Sequence, residues 1–179
     1  MIKLKTLLEN QILVPRRSKE ERQKNHIIAT QRKIQQYIKD GGQGDLNLSN
    51  TPIQSLPNGL KVGGDLYLND TPIQSLPNDL KVRGSLSLGS TPIQSLPNGL
   101  EIRGDLSLYN TPIKSLPNGL KVGGYLSLHR ASIQSLPNNL EVKGGLSLSN
   151  TPLSEKYTEE EIRKIIEDKG GFIEGDIYM

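Results

Sequence analysis

The side chains that could do chemistry in this chain are its histidines, serines and aspartates, and their spacing argues against catalysis. There are two histidines, His26 and His129, far apart in the chain. Serines are plentiful, but most recur every twenty residues, as residues with a structural role do. A nucleophilic triad needs one serine, one base and one orienting acid in contact, and nothing singles one out. Asp45 and Asp65 fall one period apart and could stack to hold a cation. Ser85 then interrupts that column, and calcium takes about six to eight oxygens. The chain has no cysteine, which removes thiolate nucleophiles, thiolate ligands and disulfides and fits a reducing compartment. Each glycine pair precedes a strand-like stretch rather than a helix, so no phosphate-binding loop is present. The expectation is a protein that is not an enzyme, with no cofactor and no metal.

The elements that position these side chains are set by one repeated sentence of twenty residues. At its cleanest it reads GDLYLNDTPIQSLPNDLKVR, Gly64 to Arg83. Its glycine recurs at Gly44, Gly64, Gly84, Gly104, Gly124 and Gly144 with no insertion or deletion. A strict period of this length predicts a solenoid of stacked coils. Six positions per coil are apolar; in the second coil they are Leu66, Leu68, Ile73, Leu76, Leu80 and Val82. Alternation in "DLYL" predicts a half-buried strand. The proline of "NDTP" forces a turn. "IQSLPNDL" then returns as an extended or turn-rich arm, with a second corner at Asn58-Gly59 or Asn78-Asp79. Ordering twenty residues costs more than burying six aliphatic side chains returns, so coils must stack. Strands in register about 4.8 Å apart give a parallel sheet about 30 Å long for seven coils.

"LYLNDTPIQSLP" resembles the leucine-rich repeat core L-x-L-x-x-N-x-L-x-x-L-P. Thr71 stands where that family usually has asparagine, and the column repeats at Thr51, Thr91, Thr111 and Thr151. Its hydroxyl could bond the backbone of a neighbouring coil. The twenty-residue length and "SLP" resemble the short class found in secreted bacterial effector proteins. The resemblance covers residues 44–153. The sequence departs from it where valine or isoleucine plus glycine replaces the first leucine, and no ubiquitin-ligase domain like those of some effectors is present. The resemblance implies a curved solenoid that binds proteins on its strand face, and no chemistry. A three-sided parallel β-helix is the alternative arrangement.

With 179 residues, no tryptophan, one phenylalanine and 34% apolar residues, the chain fits one thin-cored body. Its expected divisions are an N-terminal helical cap or tether (1–43), the solenoid (44–153) and a C-terminal cap of a helix plus a last strand (154–179). No stretch approaches the roughly 20 apolar residues of a membrane span. Glu9, Asn10 and Gln11 interrupt any signal-peptide core, so a cytoplasmic or virion-associated location is expected. The net charge of +3 divides unevenly, with +6 in residues 1–44, +1 in 45–150 and −4 in 151–179. Solvated helix faces account for this most simply; an anionic partner or head-to-tail association is the sharper reading.

Leu4, Leu7, Leu8 and Ile12 share one face of a helix over 1–14, which Val14-Pro15 ends. That helix packs on the next one or docks elsewhere; its modest charge disfavours a membrane surface. Ser18 and Glu21 form a capping box for a second helix over 19–40. Its apolar residues are Ile27, Ile28, Ile34, Tyr37 and Ile38, and it lids the first coil. Thr158 and Glu161 cap a third helix, with Glu159–Arg163 and Glu160–Lys164 pairs four apart. The tail then repeats the coil, Ile173, Gly175 and Ile177 aligning with Val62, Gly64 and Leu66. Two closed ends predict a monomeric, whole protein that does not grow into filaments.

Function is expected where the columns vary. The three outward strand columns begin at Asp45, Asn47 and Ser49, and the corner column at Asn50. Their large, unusual residues collect in coils four and five as Tyr109, Tyr125, His129 and Arg130, with Tyr67 and Asp105 nearby. The fifth coil also breaks Thr-Pro into Ala131-Ser132. Tyrosine and arginine anchor interfaces most often, so these six residues are the candidate site for a protein partner; drift on a tolerant face is the plainer reading. Nucleic acid is disfavoured, because the repeats lack a basic stripe with aromatics. The other class of function is a structural virion or assembly component tethered through its N-terminal helix.

Overall fold

A computed structural model describes residues 18–179; the expected helix over 1–14 lies outside the described residues. Helix α1 spans Lys19–Lys39. Ser18 Oγ accepts from Glu21 N–H, and the Glu21 carboxylate accepts from Ser18 N–H, so the capping box closes in both directions. Gly41 and Gly42 then take φ of +85° and +65° and turn the chain into the first coil.

Each coil is a loop with two short strands. In the second coil the chain runs through the strand Leu66–Tyr67, a turn at Asn69-Asp70 and an extended arm over residues 71–77. A turn at Asn78-Asp79 leads to the strand Lys81–Val82 and a bend at Arg83-Gly84. Stacking aligns these pieces into two parallel sheets among the described residues, one of seven strands and one of six. The first sheet carries the alternating "DLYL" segments in register, Leu46 beside Leu66 and Leu66 beside Leu86. Its last step jumps from Leu146 to Ile177, because α2 (Glu159–Asp168) occupies the sixth return arm. The tail thus pairs as its likeness to earlier coils implies, with Ile173 beside Val142.

The second sheet is an addition to the expected single strand per coil. Its strands are two residues long, such as Lys61–Val62, squeezed between the Asn-Gly corner and the glycine bend. The rungs are nevertheless regular: Lys81 N–H donates to Leu60 O at 3.1 Å and Arg83 N–H to Val62 O at 3.0 Å. The apolar columns fill the space between the sheets and the arm, and Leu66, Leu68, Ile73 and their equivalents in the inner coils are completely buried. Apart from the half-buried Thr51, the threonine column is buried too. Its hydroxyls turn inward on their own coil, not to a neighbour: Thr71 Oγ1 donates to Leu68 O at 2.7 Å, and Thr51, Thr91, Thr111 and Thr151 do the same three residues back.

Both ends of the stack are finished by side chains that replace a missing coil. At the first coil, Ile34 of α1 is buried, and the Tyr37 hydroxyl bonds Gly42 O and Gly44 O at 2.8 Å and receives Gly63 N–H at 3.2 Å. Lys33 Nζ donates to Asn47 O. The lid is narrower than the apolar residues of α1 imply, since Ile27 and Ile38 are 37% and 44% exposed. At the other end Ile162 and Ile166 of α2 are buried. The Arg163 guanidinium donates to Ile173 O at 3.1 Å and Gly175 O at 3.2 Å, the carbonyls that in earlier coils receive the next coil's N–H groups. Of the two ion pairs expected on α2, Arg163–Glu159 forms at 3.4 Å and Glu160–Lys164 does not. No helix among the described residues is long and apolar enough to cross a membrane.

Candidate functional site

The outward face of the seven-stranded sheet begins with a column that serves the fold. Asp45 Oδ1 accepts from Asp65 N–H at 2.8 Å, and Asp65 Oδ1 from Ser85 N–H at 2.7 Å. Ser85 Oγ accepts from Asp105 N–H at 3.0 Å, and Asp105 Oδ1 from Tyr125 N–H at 2.7 Å. Each side chain thereby satisfies a backbone donor one coil further on. The Asp45–Asp65 stack is thus committed to backbone, and among the described residues no three His, Cys, Asp or Glu side chains gather as metal ligands would. Asp105, expected beside the patch, holds the backbone of Tyr125.

Tyr67 lies two coils away from Tyr109, and its hydroxyl donates to Asp65 Oδ2 at 2.8 Å. The Ser85 N–H first, and this phenol second, hold the Asp65 carboxyl below its ordinary value. The same bond, with the charge of Asp65, pushes the Tyr67 phenol up.

Three of the six expected residues do meet. The rings of Tyr109 and His129 stack with centroids 5.5 Å apart and planes 12° from parallel. Arg130 Nη1 donates to the Tyr109 hydroxyl at 3.3 Å. Tyr109 also leans over Gly89, where a β-carbon would lie 3.5 Å from Cδ1. Adjacent strands bring the pair together, because residues twenty apart are neighbours in a parallel sheet with this period. Arg130 sits at the corner with φ of +58°, and its N–H donates to Ser149 O at 3.0 Å. Behind it the arm carries two extra backbone bonds to the preceding coil. Ser132, standing where other coils have proline, supplies an N–H to Thr111 O at 3.0 Å, and Gln134 N–H reaches Lys114 O at 2.9 Å.

Tyr125 turns the other way. Its ring lies over Gly145, where a β-carbon would come within 2.9 Å of Cε2, and reaches Tyr178 at a centroid distance of 6.2 Å. Tyr178 is 51% exposed, and Ser147, its neighbour in the sheet, is the one buried serine of its column. Tyr178 follows Ile177 as Tyr67 follows Leu66, but only the packing pairs it with Tyr125. His26 is exposed on α1, beside the first coil and not with His129. No family model matches this chain, and no curated protein matches it.

Proposed function

We propose that this protein is a non-enzymatic recognition module that binds another protein on the outward face of its seven-stranded sheet. The observation that carries this is the Tyr109–His129–Arg130 contact, an aromatic pair and a cation held together on a rigid surface. Fixed aromatic and arginine side chains lose little freedom on binding and supply most interface energy. The resemblance of the repeats to leucine-rich repeats, which bind proteins on that face, supports the same reading, and with it a role as an effector or inhibitor acting on a host protein.

A pull-down from the source cell's lysate tests it, comparing the full chain, a chain lacking residues 1–17, and the alanine variant of Tyr109, Tyr125, His129 and Arg130. Loss of a partner with the alanine variant alone is expected. Loss with the truncation alone overturns the reading in favour of a component tethered through its N-terminus.

A further inference from the structure

We infer that Arg130 and Tyr109 form a seat for a single carboxylate, supplied by an acidic side chain of an extended partner segment lying across coils four and five. This rests on the strand-face reading above and names the chemistry it recognises. The corner column reads Asn50, Asp70, Ser90, Asn110, Arg130 and Asn150, and all six residues take φ between 53° and 58°. Asn and Asp tolerate this left-handed conformation; other side chains adopt it at a cost in backbone strain. Four corners carry Asn or Asp; Ser90 and Arg130 bear a backbone cost, and only Arg130 places a long cation there, held by a bond to Tyr109.

The guanidinium also lacks an acid among the described residues. Among the described residues the ion pairs are Lys121–Glu141 and Arg163–Glu159, and neither includes Arg130. Arg130 makes one side-chain hydrogen bond, to Tyr109 Oη. Accepting from Arg130 leaves the phenol its own proton to donate. Guanidinium and phenol donors therefore stand side by side on a tyrosine braced by His129 and Gly89, and paired donors of this kind match the two oxygens of a carboxylate. The three outward strand columns and the corner contain no other lysine or arginine. A polyanion such as a nucleic acid would need a row of cations; one cation flanked by aromatics and serines fits one acidic anchor in a polypeptide.

The test selects a phage-displayed random peptide library on the full chain and measures the affinity of the selected peptides. Peptides carrying Asp or Glu at a fixed position are expected, losing about tenfold or more in affinity when that residue becomes alanine. Arg130→Asn should cost as much, and combining both changes should cost little more. Arg130→Asn restores the repeat's own corner residue, so its melting temperature, expected to rise, separates lost binding from lost folding. Peptides that need Tyr109 and His129 but bind Arg130→Asn equally would overturn this inference and leave the strand-face reading standing. Peptides indifferent to every face residue would overturn both. Arg130-dependent binding of a DNA oligonucleotide, with no acidic preference among peptides, would also overturn it.

Discussion

The Asp65 carboxylate occupies the place above Gly84 where a side-chain carbon would begin. Gly64, Gly84, Gly104 and Gly124 are therefore fixed from the preceding coil, since each makes room for an acceptor that the next residue's N–H requires. Gly84→Ala is expected to destabilise the protein by about 1–3 kcal/mol, as overpacking does. Adding Asp65→Ala should not rescue it, because the same β-carbon would still lie 2.7–2.8 Å from the carbonyl of Gly64. Thermal melts of the single and double variants check this.

Asp65 links stability to pH. Its carboxyl is held below its ordinary value of 3.8 by Ser85 N–H and the Tyr67 phenol. A depressed folded value means that the stabilisation is complete above about 3.8 and fades as the pH falls through the lower, folded value. Asp65→Asn keeps an oxygen for Ser85 but cannot ionise. Its stability relative to the native chain should be lowest near neutral pH and recover below pH 3.8. Urea titrations at neutral and acid pH measure the difference.

Arg163 finishes the ladder. Arg163→Met keeps the stem of the side chain and leaves the carbonyls of Ile173 and Gly175 without donors. A loss of about 1–3 kcal/mol is expected, with faster hydrogen exchange in the last coil and little change in the first.

Thr91 is buried and donates to Leu88 O at 2.7 Å. Thr91→Val preserves its shape and removes the bond, at an expected cost of about 1 kcal/mol. The reverse change in the fifth coil, Ala131→Thr, should add a bond to Leu128 O and raise the melting temperature.

Arg130→Asn should stabilise the fold by about 1 kcal/mol, by relieving a long side chain at positive φ. For a chain of this size that is about 2–4 °C in the melt.

The stacked coils were legible because leucine columns and a fixed glycine repeat without error, and a period needs no knowledge of the third dimension. The second sheet was missed although Leu60, Lys61 and Val62 alternate inward and outward, because that alternation follows the Asn-Gly corner and ends at the glycine bend, and so reads as part of a turn-rich return arm. The candidate site was half legible. Neighbouring strands dictate that Tyr109 stands beside His129, and that contact forms. Side-chain direction is not set by period: Tyr125 crosses the small Gly145 to reach Tyr178, and Asp105 turns along the stack to a backbone N–H. The threonine hydroxyls were misplaced for a similar reason, because the corner bends each one back on the carbonyl three residues earlier.

The register of exactly one coil per rung also governs how this molecule can change length. Duplicating or deleting a whole coil in the gene leaves every rung and every buried column matched, whereas an insertion of one residue would turn a strand's leucines outward. A duplication between coils two and three would move Tyr67 about 4.8 Å further from the Tyr109–His129 pair and leave the pair itself untouched. The span of the face can thus be lengthened by recombination in fixed steps while its contact point stays intact.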